Sequence, residues 1–188
     1  MLALLMAMNA HATEVVWTGI DYGAVRMVGT TDFHQPDEIF PGYLAKWNGL
    51  FMTEMMEELG KRLRADVAAS TSHLSEIHRD TGAKTNIVRD DSISPDESFL
   101  APEDIAQRVA SYDLNAQQGL GLTFIADQLN KAAEKGCYWV TFYDIESRRV
   151  LGTSRRCGEA RGFGFRNYWF GTAKDVVSEL RKKDVPRR

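Results

Sequence analysis

A chain of 188 residues with 44% hydrophobic and 26% charged content has the length and composition of one soluble domain with a single substantial core. Its net charge of −3 is small but unevenly spread, with 12 Lys+Arg against 6 Asp+Glu in residues 137–188 and a balance of −9 in residues 1–136. The basic residues alternate with core positions and form no continuous run, which argues against a nucleic-acid surface and for attraction between the two parts of one fold.

The chain opens MLALLMAMNAHATE. Met1 to Met8 are all apolar, and Ala10-His11-Ala12 fits the small-x-small site of signal peptidase, with cleavage before Thr13. The basic segment that should precede the apolar run is missing, as if the chain were read from a start placed too far downstream. Residues 1–12 are therefore expected to be a signal peptide and 13–188 an extracytoplasmic globular domain, the alternative being an apolar N-terminal strand or helix. No stretch reaches the ~18–20 apolar residues that span a bilayer.

Glu14 to Gly29 is rich in Val, Ile, Trp and Tyr with glycines at 19, 23 and 29, which predicts one long kinked strand or a tight pair. Thr30 to Phe40 is a polar connection. Leu44, Trp47, Phe51, Met55 and Leu59 recur at helical spacing, so 41–64 is predicted to be a helix with Pro41 in its first turn. Met52, Met55 and Met56 fit a core filler better than a soft ligand face. Ala65 to Ser70 reads as a short strand. The Ser/Thr/Asp-rich stretch 71–100 reads as an irregular excursion with one strand near 85–89.

Pro102-Glu103-Asp104 opens a short helix to about Tyr112. Leu122, Ile125, Ala126, Leu129, Ala132 and Ala133 recur at helical intervals, which predicts a helix over 122–135 ended by Gly136. Tyr138 to Ile145 is nearly all apolar, aromatic or β-branched, as in a strand buried on both faces, and Val150 to Cys157 returns beside it. A turn centred on Ser147 sets Cys137 opposite Cys157, and in an exported chain that pair reads as a disulfide. Asn167 to Lys183 is predicted to be a closing helix with a stripe of Trp169, Ala173, Val176, Val177 and Leu180. The fold class is α/β: a single domain with a mixed central sheet, helices on its faces, and a C-terminal hairpin followed by that helix.

Two places could carry chemistry. The bend Arg161-Gly162-Phe163-Gly164-Phe165-Arg166-Asn167 joins a strand to a helix N-terminus, where free N–H groups and the helix dipole favour an anion. Arg161, Gly162, Gly164, Arg166 and Asn167 are its candidate ligand-binding residues. The blander reading has Phe163, Phe165, Tyr168 and Trp169 packed inward and Asn167 capping the helix. Asn167 stands where a dinucleotide fingerprint needs its third glycine, so no nucleotide cofactor is expected.

The second place is Gly19-Ile20-Asp21-Tyr22-Gly23 followed by Arg26, which resembles the first strand of RNase H-like nucleases and actin-like phosphotransferases. A metal-dependent hydrolase or phosphotransferase would need more carboxylates beside Asp21, and Asp127 and Asp144 are the candidates. The bland alternative is a bulged strand with a turn-stabilising Asp. His11, His34, His73 and His78 form no ligand cluster and are expected to be exposed loop residues, and no metal is expected.

The segments GLGLTFIADQLNKA (119–132), YWVTFYDIESRRVL (138–151) and GFGFRNYW (162–169) together resemble an uncharacterised family of exported bacterial proteins. The resemblance is specific over roughly 112–171 and looser over 14–60. It implies export and a compact mixed α/β domain, and supplies no catalytic residues. In that family a glycine usually stands where this chain has Arg161. The favoured expectation is a non-catalytic extracytoplasmic binding module for a small anionic ligand or a protein, and the alternative is the Asp21 enzyme.

Overall fold

The computed structural model describes residues 13–79, 81, 86–115 and 117–187. The expected signal peptide at 1–12 falls outside them. One mixed sheet of seven strands organises the chain: β1 (Thr13–Asp21), β2 (Arg26–Val28), β3 (Ala65–Ala69), β4 (Ile87–Val88), β5 (Leu120–Asn130), β6 (Lys135–Asp144) and β7 (Val150–Glu159).

β1 and β2 lie end to end along the same edge of β5, both parallel to it, through Val15↔Leu120 to Asp21↔Ile125 and then Arg26↔Gln128 to Val28↔Asn130. They are the long kinked strand expected from 14–29. β3 flanks β1 and β4 flanks β2, both parallel, while β6 runs antiparallel along the whole of β5 and β7 antiparallel along β6. The hairpin register runs Lys135↔Glu159 to Phe142↔Gly152, and Cys137 faces Cys157 and is bonded to it. The disulfide pairing read from the turn geometry is correct.

The 122–135 segment is not a helix. It is β5, the central strand, and all eleven of its residues are buried. Apolar residues at i, i+3 and i+4 are as natural in a strand covered on both faces as on a helical stripe, because such a strand loses its period of two. The β-bulge at Ala126/Gln128 shifts the phase further.

Two faces follow from strand alternation. Val15, Trp17 and Ile20 of β1, Leu122 and Phe124 of β5, and Tyr138, Val140 and Phe142 of β6 point to a first face. It is covered by α1 (Leu44–Glu54), α2 (Met56–Leu63) and α5 (Gly164–Glu179). The expected helix over 41–64 is thus two segments meeting at Met55 (φ −116°), and Pro41 sits before them in a turn with a cis Phe40–Pro41 bond. Met55 is buried and Met52 and Met56 pack against the core, so the methionines fill space.

The second face carries Val16, Ile125 and Tyr143 and is covered by Ile105 and Val109 of α4 (Pro102–Ala110). Among its described residues the excursion contains a helix the sequence did not announce, α3 (Leu74–Arg79), and the expected strand appears as β4. Residues 93–99 are strapped down by polar side chains of β5 and β7. Gln128 Nε2 donates to Glu97 O (2.7 Å), Asn130 Nδ2 to Ile93 O (2.8 Å), and the Arg155 guanidinium to Pro95 O and Glu97 O (both 2.8 Å). The expected attraction between acidic and basic parts is visible in two ion pairs, Arg155–Asp127 (2.7 Å) and Lys174–Glu54 (2.6 Å).

Candidate functional site

Asp21 ends β1 on the second face and is fully buried. Its Oδ1 accepts from Gly23 N (2.8 Å) and Arg108 Nη2 (2.6 Å), and its Oδ2 from Arg108 Nε (2.9 Å) and the Tyr112 hydroxyl (2.8 Å). Burial by itself would raise the carboxyl, but the Arg108 charge and these hydrogen bonds outweigh it and hold Asp21 below its ordinary value. Four donors occupy the carboxylate and one comes from its own turn. A residue so saturated has no lone pair facing a cleft.

Asp127 is equally buried. It accepts from Arg155 Nε (2.7 Å), Phe99 N (2.9 Å) and Ser98 Oγ (3.1 Å), and so anchors the strap. Asp144 pairs with Leu120 at the other end of β5, and its Oδ1 accepts from Ser147 N (2.8 Å) and Ser147 Oγ (2.7 Å), closing the hairpin turn. The structure does not bring these three carboxylates together. Among the described residues no group of three or more His, Cys, Asp or Glu side chains could hold a metal ion.

Two histidines correct the expectation of exposed loops. His34 is exposed, but His73 and His78 on and just before α3 are buried. His78 Nε2 accepts from Tyr22 N (3.1 Å), and the His73 ring lies 4.8 Å from that of Tyr112 with both nitrogens unpartnered among the described residues. Burial pushes each imidazole down to about 4, against the pull of the Asp21 charge. Both are therefore neutral packing groups around the Asp21–Arg108–Tyr112 network at pH 7. Their spacing in a polar segment gave no warning of this, because α3 was not visible in the pattern.

The bend 161–167 is the opposite case. It lies on the surface at the start of α5, which begins at Gly164, three residues before the predicted Asn167. Gly162 (φ 126°) and Gly164 (φ 77°) both take the left-handed region that side chains avoid, and Gly171 lets the Arg161 backbone pass directly over the helix. The turn is locked by Arg161 N donating to Tyr168 O (3.2 Å) and by Trp47 Nε1 of α1 donating to Arg166 O (2.9 Å).

Alternate residues then diverge. Phe165 packs inward against Tyr43 (ring centroids 4.9 Å) and Trp47 (6.0 Å), and Trp169 stacks on Phe33 (5.2 Å) while donating to Asp32 Oδ2 (3.1 Å). Phe163 does not pack inward with them: it is 97% exposed and occupies the position before the helix, so Asn167 is no cap. Arg161 pairs with Glu159, whereas the Arg166 guanidinium reaches only Asn167 Oδ1 (3.2 Å) and forms no ion pair among the described residues. A cavity of about 150 Å³ lies behind Phe165, but Asp32 and Glu38 line it, so it does not suit an anion.

The candidate ligand residues therefore divide. Gly162 and Gly164 shape the bend and Arg166 is available beside it, while Arg161 is engaged by a neighbour. Compared with known proteins, the chain matches no family model and no curated protein sequence.

Proposed function

We propose that the chain is a non-catalytic extracytoplasmic binding module that contacts an anionic ligand, or an anionic group on a protein, through the bend 161–167. The observation that carries this reading is Phe163, a large aromatic side chain 97% exposed in a domain that buries most of its other aromatic rings wholly or partly. An exposed aromatic flanked by an unpaired arginine has the composition of an interaction hot spot. The first-turn N–H groups of α5 lack helical acceptors and add positive potential at the same point. The Cys137–Cys157 disulfide supports an oxidising location, and no helix among the described residues is long and apolar enough to cross a membrane.

The interior carboxylates favour this reading over the enzyme, since each is committed to holding the fold. The test is a thermal-shift screen with millimolar phosphate, sulfate and citrate on the wild type, R166E and F163A. The wild type should be stabilised and R166E should lose the effect. F163A should keep the wild-type melting temperature, because an exposed ring contributes little to folding. A screen without any shift, or shifts unchanged in R166E, would sink the proposal.

A further inference from the structure

At the far end of α5 the chain makes a single turn at Lys182–Asp184 and continues through Val185 and Pro186 to Arg187. This tail runs beside Thr13, the first residue of β1, and beside Arg64, whose left-handed conformation (φ 52°) ends α2. Together they enclose an open groove of about 920 Å³. Among the described residues its lining holds four cations, Arg64, Lys182, Lys183 and Arg187, and no carboxylate.

None of the four enters an ion pair among the described residues. Asp184, the acid that follows Lys183, is committed elsewhere: its Oδ1 accepts from Arg156 Nη2 (2.8 Å) and its Oδ2 from Arg181 N (2.7 Å). Glu14 and Asp66, paired across β1 and β3 beside Thr13 and Arg64, are exposed but do not line the groove. A cation at a helix C-terminus complements the helix dipole, which accounts for Arg64. It does not account for Lys183 and Arg187 converging on the same space. Like charges gathered around one concavity in a chain of net charge −3 raise a local positive potential that an anion relieves.

We propose that this groove binds a multiply charged phosphate-bearing ligand. Lysine ammoniums and arginine forks supply the charge-assisted hydrogen bonds that phosphate oxygens accept. The volume is that of a site for a whole ligand and exceeds what a single ion needs. Val185 and Pro186 give it an apolar wall against which the rest of the ligand lies. The site is separate from the bend, since the 16 residues of α5 set the two about 24 Å apart.

The test uses the full chain and two probes. Tripolyphosphate, titrated by calorimetry, stands for a free phosphate compound. Vesicles of phosphatidylglycerol in phosphatidylcholine, against phosphatidylcholine alone in a sedimentation assay, stand for a lipid headgroup. At least one probe should bind, more weakly as salt rises. K182E/K183E should weaken it about tenfold or more, as expected when two charge contacts become repulsive, while R166E at the bend should leave it unchanged. All four cations are exposed, so both variants should keep the wild-type circular dichroism and melting temperature. Retention on phosphatidylglycerol that K182E/K183E abolishes assigns the phosphate to a lipid. Tripolyphosphate binding without vesicle retention assigns it to a soluble compound. If neither probe binds, or if K182E/K183E binds like the wild type, the proposal is overturned.

Discussion

Replacing Arg108 by methionine keeps most of its apolar stem and removes the guanidinium that closes over Asp21. The carboxylate would stay fully buried with two of its four donors, Gly23 N and the Tyr112 hydroxyl. Hydrogen bonds to a charged group contribute about 1.5–3 kcal/mol each, and stripping one partner from a buried pair costs about 3–5 kcal/mol. R108M is therefore expected to lose about 3–5 kcal/mol at pH 7, measured by urea unfolding followed by circular dichroism. The loss should depend on pH with a definite sign. In the wild type the Asp21 carboxyl lies below its ordinary value, so it stabilises the fold at neutral pH and ceases to do so as pH falls through the folded value. In R108M burial dominates and the carboxyl rises above its unfolded value. The penalty is then largest at neutral pH and is relieved as the group protonates in acid. The gap between R108M and wild type should shrink towards pH 4, and D21N/R108M should recover part of the loss at pH 7. A gap below about 1 kcal/mol, or one that does not change with pH, would refute the view that Asp21 is a buried structural anion.

Further outcomes follow from the same interior. His73 and His78 sit at about 4 in the fold against 6.5 unfolded, so the unfolded chain takes up protons first and stability should fall as pH drops from 6.5 towards 4, by up to about 3 kcal/mol for each; H73F should flatten the melting-temperature profile over that range. Replacing both cysteines by serine opens a loop of 20 residues and should cost about 3 kcal/mol by chain entropy, read as a lower urea midpoint. G158A should lose about 1–3 kcal/mol, because a methyl group there meets the Thr172 carbonyl where α5 crosses β7, whereas G164A meets no atom and is opposed only by its backbone angle of +77°.

What the sequence shows well is whatever leaves a one-dimensional signature. The aromatic ribbon 138–145 declares an interior strand because nothing in it needs water. The cysteine register follows from counting across a turn that the structure keeps from Lys135↔Glu159 to Phe142↔Gly152. The kinked first strand is legible for a similar reason, since its glycines interrupt an otherwise β-rich run. The central strand is misread because its polar residues Thr123, Asp127, Gln128 and Asn130 look like the wet side of a helix. They are all buried, and their partners lie in the strap at 93–99 and in β1. No local pattern can reveal that a polar residue will be satisfied by backbone some 30 positions away. The burial of His73 and His78 fails to show for the same reason, and the exposure of Phe163 because an alternating aromatic run implies inward packing on both sides of a glycine turn.

The buried and the surface charges of this domain play different parts. Asp21, Asp127 and Arg155 are buried or nearly so, and each makes several hydrogen bonds to the chain itself, so the sheet's polar interior has little capacity left for an outside molecule. A buried charge freed for catalysis would have to give up partners worth more to the fold than a weak ligand could return. Arg166 at one end of α5 and Arg64, Lys182, Lys183 and Arg187 at the other belong to a larger set of cations that form no ion pair among the described residues, and all five lie on the surface. Sites about 24 Å apart on one rigid helix should act independently. If R166E weakens tripolyphosphate binding as much as K182E/K183E does, the separation of the two sites is refuted, because tripolyphosphate is too short to touch both ends of α5.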